Sequence, residues 1–390
     1  MKPELLLPAG NLEKLRFALM YGADAVYIGG KIFSLRAQAS NFTLDDIEEG
    51  VKFAHSLNKK VYVTVNVIPR EKEMNLLKDY LVSLEKVNVD GIIVSSPSIL
   101  ECAKENTSLH VSVSTQASIS NSSAVKFYQK QGADRVVLAR ELSMDEIKTL
   151  SKNTDCEIEV FIHGGMCSAW SGRCTLSNYM SGRDANGGGC AHSCRWIYDI
   201  YQNDEKINTE PFKIGSKDLS SIHYIKDMCE ANVTSLKVEG RMKSVSYVAT
   251  VAYTYRKLID DIYEGSLKDD DYYLSLLGEQ VNREASTGFL DHGASYKQTL
   301  YSAESSPVTQ GFYGVVMDYN DEKKEALIEV RNRFSNGDTA EILSPGKEPQ
   351  TFIISGMNSS SATHAMEIVS VHSDIKLNKY DIRRRKQWGK

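Results

Sequence analysis

Short apolar runs alternate with amphipathic stretches through the first 240 residues. Leu5–Leu7, Ala25–Ile28, Val61–Val67, Gly91–Val94, His110–Ser114, Arg135–Leu138, Glu157–Ile162 and Ser235–Val238 make eight such runs, many rich in Val and Ile. Runs of this kind predict strands covered on both faces, as in a parallel sheet. Between them, Asn11–Met20, Leu44–Leu57, Met74–Leu84, Ser98–Lys104, Ala124–Gln131 and Met144–Leu150 carry helical patterns, and a longer helix is predicted from about Ser244 to Tyr263. Every strand therefore feeds a helix or a long insertion. Eight β/α units over residues 1–265 predict a TIM-like (β/α)8 barrel. An open doubly wound α/β sheet is the alternative, although such sheets usually have fewer strands. Gly22 and Gly132, each at the start of a Gly-Ala-Asp, are expected to end helices in the left-handed conformation.

The pattern then changes. Residues 266–305 form a linker or extension in which Leu267–Leu276, charged and Tyr-containing, is a connector or a surface helix. Beyond about Ser306, Gly311–Met317, Ala326–Val330, Thr339–Leu343, Thr351–Ile354 and Met366–Val371 are short strand candidates separated by Gly, Asn, Asp and Ser. They predict a small antiparallel β-barrel domain over residues 306–390, with Asn336-Gly337-Asp338 as one of its turns.

The chain has 390 residues, 42% of them hydrophobic, enough for a large core in two or three domains. The net charge of −5 gives no global sign of nucleic-acid binding, though a local basic surface is compatible with it. Arg383-Arg384-Arg385-Lys386 is one such run, to be read as a solvated charged end or as a contact to RNA phosphates. No segment approaches the apolar length of a membrane span, and the N-terminus lacks a signal-peptide pattern. A cytoplasmic protein is expected, and in a reducing compartment clustered cysteines are ligands rather than disulfides.

Four of the seven cysteines are clustered: Cys167, Cys174, Cys190 and Cys194, spaced C-x6-C-x15-C-x3-C. They lie in a polar, Gly-rich loop over about residues 165–200, directly after the seventh strand. Such a loop can bring four thiolates together around a metal or an iron–sulfur centre. Only Cys190 and Cys194 have a spacing common in structural zinc sites; the other intervals suit an iron–sulfur cluster no worse. Cys102, Cys156 and Cys229 fall in helix or strand contexts and read as structural.

Function in a TIM barrel sits at the C-terminal ends of the strands. His163 stands there as a ring anchored under the loop, a support for the metal centre, or an acid–base group. Paired with Cys167 it is also the one candidate for a nucleophilic hydrolase, since no other hydrolase motif occurs. The eighth strand ends in Lys237-Val238-Glu239-Gly240-Arg241-Met242-Lys243, which crowds Glu239, Arg241 and Lys243 on one rim. They form either an ion pair at a helix start or a pocket for an anionic substrate.

These segments together resemble a family of collagenase-like peptidases of unassigned catalytic type, whose better-described members hydroxylate RNA with an iron–sulfur cluster. The resemblance is carried by Leu7-Pro8-Ala9-Gly10-Asn11, Gly22–Gly29, Glu159–Cys167, Ser171–Ser177, Cys190, Cys194-Arg195-Trp196, Ser216–Leu219 and Lys237–Lys243. It is strong over residues 4–265 and weaker beyond, through Asn332-Arg333-Phe334 and Gly337-Asp338. It implies a 4Fe–4S cluster on Cys167, Cys174, Cys190 and Cys194, with tRNA as partner. It also implies oxygen-independent 5-hydroxylation of the wobble uridine with prephenate as co-substrate. A paralogous family member is a further partner to consider. Sister groups act on a cytidine of ribosomal RNA or in ubiquinone synthesis. Prephenate carries two carboxylates, so Arg173, Arg195, Arg241 and Lys243 are the candidate cations for it, with Glu239, Arg241 and His163 as candidate catalytic groups. The stretch Val281–Phe289 departs from the family pattern. A peptidase and a non-catalytic scaffold for RNA or a protein partner are the competing readings.

Overall fold

The computed structural model describes residues 1–35, 41–278, 284–293, 296–302, 311–357, 361–362 and 364–385. The eight apolar runs are strands: β1 (Glu4–Pro8), β2 (Ala25–Gly29), β3 (Lys60–Val65), β4 (Gly91–Val94), β5 (His110–Val113), β6 (Arg135–Val137), β7 (Glu157–Gly164) and β8 (Ser235–Val238). They pair in parallel in chain order, and β8 pairs with both β7 and β1, so the sheet closes into a barrel. Helices follow the strands, and Asn11, Thr43, Asn121, Ser143 and Ser244 each cap one by accepting a backbone N–H. Gly22 and Gly132 have φ of +118° and +95°, as their place after a helix predicts. No described helix is long and apolar enough to cross a membrane.

The period-two alternation of strands explains the barrel's two cores. One set of side chains meets the helices in a large apolar cluster; the other points inward. Leu6, Ala25, Tyr27, Tyr62 and Ile93 form a small separate cluster, and Glu4, Arg135, Glu159 and Lys237 sit at inward positions beside it. Arg135 Nη1 lies 2.6 Å from Glu4 and 3.2 Å from Glu159, its Nε lies 2.8 Å from Glu157, and Lys237 Nζ lies 2.6 Å from Glu159. Glu159 has no exposure to solvent. Burial opposes its charge, but Lys237 and Arg135 together outweigh that and hold its carboxyl below the usual range. The rings of Tyr62 under Arg135, and of Tyr27 and Phe161 around Lys237, complete the packing.

After β7 the chain leaves the barrel, and it returns as the strand Asp218–Ser220, antiparallel to the end of β7. This strand, and the pair Phe212–Ser216 with Thr299–Ser302, carry little apolar pattern and are not expected from the sequence.

The C-terminal part is a six-stranded antiparallel half-barrel. Its strands are β9 (Phe312–Asn320), β10 (Glu325–Val330), β11 (Thr339–Leu343), β12 (Gln350–Ile353), β13 (Ile368–His372) and β14 (Ile382–Arg385). They are ordered β12-β11-β14-β9-β10-β13. Val315, Leu343 and Ile382 join the core that also holds the barrel's helices. The Tyr21 hydroxyl donates to the Leu343 carbonyl (2.7 Å) and accepts the Ile382 N–H (3.1 Å).

Of the connector or surface helix expected at Leu267–Leu276, the structure shows the helix Asp270–Leu277, which buries Tyr273, Leu276 and Leu277 on one face. One expectation is corrected. The basic run is no solvated end: Arg383 is fully buried, its guanidinium 5.0 and 4.5 Å from the Phe334 and Phe352 ring centres. Arg384 is paired with Glu341 at 2.6 Å. Strand pairing of β14 between β11 and β9 draws both residues inward. Lys386 lies outside the described residues.

Removing one partner from a buried charge network leaves the others uncompensated. Arg135→Ala is expected to lower unfolding free energy by about 3–5 kcal/mol in urea denaturation.

Candidate functional site

The C-terminal ends of the strands open on a cavity of about 190 Å³. Tyr27, Ile93, Phe161 and Lys237 line it from the strands, and Cys167, Cys174, Cys190 and Cys194 line it from the insertion. The four cysteines therefore share one cavity. All seven cysteines are free.

The loop after β6 positions the insertion. Arg140 donates from Nη1 to the Gly165 carbonyl at 2.7 Å, and its guanidinium lies 3.7 Å from the Phe161 ring centre. Glu141 accepts both the backbone N–H (2.5 Å) and the hydroxyl (2.6 Å) of Ser171, which stands at φ +46°. Asn186 donates to the Cys174 carbonyl at 3.1 Å, and its own carbonyl accepts the Ile68 N–H at 3.2 Å. These contacts tie a polar loop with almost no core of its own to the barrel rim.

The Cys174 sulfur accepts the Leu176 N–H at 3.3 Å. Burial pushes the Cys194 thiol up; Arg195 and a hydrogen bond from Ser168 oppose this, while the Cys167 and Cys190 thiols add to it. Among the described residues, no three Cys, His, Asp or Glu converge closely enough to hold a single ion as they stand. The donor set itself, four soft sulfurs facing one cavity from a glycine-rich loop, fits an iron–sulfur cluster. Burial likewise pushes the Cys156 and Cys229 thiols up to about 11, and Cys102 also upward; none of these three lines the cavity.

The remaining candidates divide. Glu239, Arg241 and Arg195 line the cavity, joined by Arg140 and Lys237. Arg241 is buried, its Nη1 2.9 Å from the Ser34 hydroxyl and its Nη2 on the Leu35 carbonyl. A Cβ on Gly29 would stand 1.8 Å from that Nη1, so only glycine leaves room for the guanidinium. Arg173 and Lys243 are not in the lining. Arg173 donates to the Gln116 carbonyl at 2.5 Å, and Lys243 lies 3.7 Å from Asp218. His163 is buried behind the rim with Nδ1 3.1 Å from the Tyr255 hydroxyl, and no hydrogen bond joins it to Cys167. Burial, and then the Lys243 charge, push its pKa down to about 3, so the ring is neutral.

Arg140, Glu141 and Lys237 are the residues sequence reasoning missed. Lys237 carried a signal, being a lysine within a buried strand pattern; Arg140 and Glu141 carried none beyond their place after β6.

Comparison with known proteins completes the picture. Peptidase family U32 matches residues 10–300, and its C-terminal domain matches residues 309–384. The chain belongs to this family. It is 43% identical to tRNA hydroxylation protein P1 of Bacillus subtilis, over 96% of this chain and 93% of that protein. It is 34% identical to tRNA hydroxylation protein P of Escherichia coli, over 88% and 86% of the two chains. The 23S rRNA 5-hydroxycytidine C2501 synthase of E. coli is 39% identical over 67% of this chain and 40% of its own length.

Two outcomes are expected. The unfolded chain protonates His163 below about pH 6.5, whereas the folded one does so only near pH 3. The stability from keeping it neutral is therefore present above pH 6.5 and lost progressively between about pH 6.5 and 3. His163→Gln should flatten the fall of the thermal midpoint across that window. Gly29→Ala should cost about 1–3 kcal/mol by overpacking, and clearly less in an Arg241→Ala background, as a double-mutant cycle will show.

Proposed function

We propose that this protein is an RNA-modifying enzyme that hydroxylates the wobble uridine of tRNA at C5 without molecular oxygen. In this reading Cys167, Cys174, Cys190 and Cys194 hold a 4Fe–4S cluster, and prephenate is the co-substrate. The observation that carries the proposal is the meeting of all four thiols with Arg195, Arg241, Arg140 and Lys237 around one cavity. The relatives named for tRNA and rRNA hydroxylation support it independently.

Bound there, the cluster supplies electron-transfer chemistry that no side chain offers. The chain's own groups do the rest. Arg195 and Arg241 face the carboxylates of the co-substrate, Arg241 held rigid by Ser34 and the Leu35 carbonyl. Lys237, anchored on Glu159, adds positive charge at the floor. Glu239 is the carboxylate lining the cavity, in place to take or give a proton. His163, neutral and buried, keeps the end of β7 in place beneath the cysteine loop.

The test is anaerobic purification with iron, sulfide and zinc analysis of wild type and Cys190→Ala, followed by nucleoside analysis of tRNA. About four irons and four sulfides per chain, lost in the variant, together with prephenate-dependent 5-hydroxyuridine, are expected. One zinc without sulfide would make the cysteines a structural clip and return the peptidase and scaffold readings. Arg241→Ala should retain iron and lose activity at low prephenate while regaining it at high prephenate; unchanged activity at low prephenate removes Arg241 from the co-substrate site.

A further inference from the structure

Arg173 is a candidate cation for the co-substrate, yet it stands outside the first cavity. It is exposed, and its Nε donates to the neutral Gln116 carbonyl rather than to an acid. Its surroundings share that character. Residues 165–198 hold three arginines, Arg173, Arg183 and Arg195, and a single acid, Asp184, in a chain of net charge −5. That acid is already paired with Arg70 at 2.9 Å. The insertion is thus a positive region on a negative protein.

The same segment exposes aromatic rings. Trp170, Tyr179 and Trp196 are 57%, 87% and 40% exposed. Among the described residues the other exposed aromatics are only Phe127, Tyr201 and Tyr263. Large apolar groups concentrated at one surface mark an interaction site.

The rings are held in place by the segments that carry the thiols. Trp170 stands between Ala169 and Ser171, which line the first cavity, while Trp170 itself lines a second one beside it. Its turn is fixed by the two bonds from Ser171 to Glu141, at the cost of a left-handed conformation at Ser171. Trp196 follows Arg195, which also lines the first cavity. The strand Phe212–Ser216 packs on both tryptophan segments. Its Ile214 carbonyl accepts the Ser168 hydroxyl at 2.7 Å, and a Cβ on Gly215 would stand 3.3 Å from the Cys194 carbonyl. Tyr179 belongs to the short helix Leu176–Ser181, where the Ser177 hydroxyl accepts the Ala191 N–H at 3.0 Å, next to Cys190.

Bases splayed out of an unpaired RNA loop stack on aromatic side chains, and cations beside them take the phosphates. A duplex keeps its base faces stacked inside and offers none to such rings. We propose that this outer face of the insertion holds the single-stranded loop of the RNA substrate. Trp170, Tyr179 and Trp196 stack its bases, and Arg173 and Arg183 contact its phosphates. The proposal rests on the hydroxylation reading and adds to it the surface that delivers the RNA to the cavity mouth.

The test is fluorescence anisotropy of the anaerobically purified full-length protein with a synthetic anticodon stem-loop, and with the same strand annealed to its complement. Kinetics of tRNA hydroxylation accompany it. Wild type should bind the stem-loop and discriminate against the duplex. Trp170→Ala and Tyr179→Ala should each weaken stem-loop binding at least about fivefold, the low end of what one stacked base contributes, with unchanged iron content and thermal midpoint. Trp170→Phe keeps a ring and should keep most of the affinity, which guards against a folding defect in the alanine variant. Arg173→Gln should reduce the slope of log affinity against log salt by about 0.7, as for one phosphate contact to a single strand, whereas Trp170→Ala should leave that slope unchanged. Equal binding of stem-loop and duplex, or alanine variants that bind like wild type, overturns the platform. A wild-type dimer in light scattering that Trp170→Ala dissociates, with RNA binding unmoved, makes this face a contact between copies and overturns it too. Hydroxylation whose KM for tRNA is indifferent to these rings removes the platform and leaves the reaction. Ring-dependent loop binding without any hydroxylation removes the reaction and leaves the platform.

Discussion

The barrel is organised around a buried chain of charges running from Glu4 through Arg135 and Glu159 to Lys237. Each ion alone would be costly to bury, and the arrangement survives because every charge touches an opposite one. The four residues belong to β1, β6, β7 and β8, so the network spans the seam where the sheet closes. It also runs lengthwise, from the start of β1 to the cavity floor, where Lys237 stands. The strands therefore set the position of the deepest cation in the site before any loop contributes.

The rim groups are held in the same manner, by partners fixed in their turn. Asn66 and Gln116 bond each other at 3.1 Å, Gln116 accepts Ser114, and the Asn66 side chain accepts the Leu35 N–H. Polar side chains at the barrel mouth are thus largely satisfied by one another, and the cations Arg241, Arg140 and Lys237 are held by Ser34, the Gly165 carbonyl and Glu159. Arg140 and Glu141, consecutive in sequence, grip the insertion at Gly165 and Ser171 on either side of Cys167.

Much of this was legible in the sequence. Doubly covered strands produce unbroken apolar runs, and amphipathic helices separate them, so the eight units could be counted directly. The four cysteines stood out because cysteine is scarce and their loop is too polar to bury them as core. Other features follow from tertiary contacts that leave no periodic trace. Arg383 looked like a solvated charge because nothing local announces two phenylalanines, Phe334 and Phe352, waiting on other strands. The strand Asp218–Ser220 is too short to show alternation, and its register depends on the end of β7. Of the stretch that departs from the family pattern, Val281–Arg283 lies outside the described residues.

That strand has an evolutionary consequence. Leu219 pairs with Gly164 and Ser220 with His163, so the insertion leaves and re-enters the barrel wall between hydrogen-bonded neighbours. Between these fastenings and its contacts to the rim, such a loop can change length cheaply, since each doubling adds only about 0.6 kcal/mol of closure cost. Lineages could lengthen, trim or exchange the cysteine-bearing segment without shifting one barrel strand. The barrel then acts as a socket, and the chemistry falls to whatever loop is plugged into it.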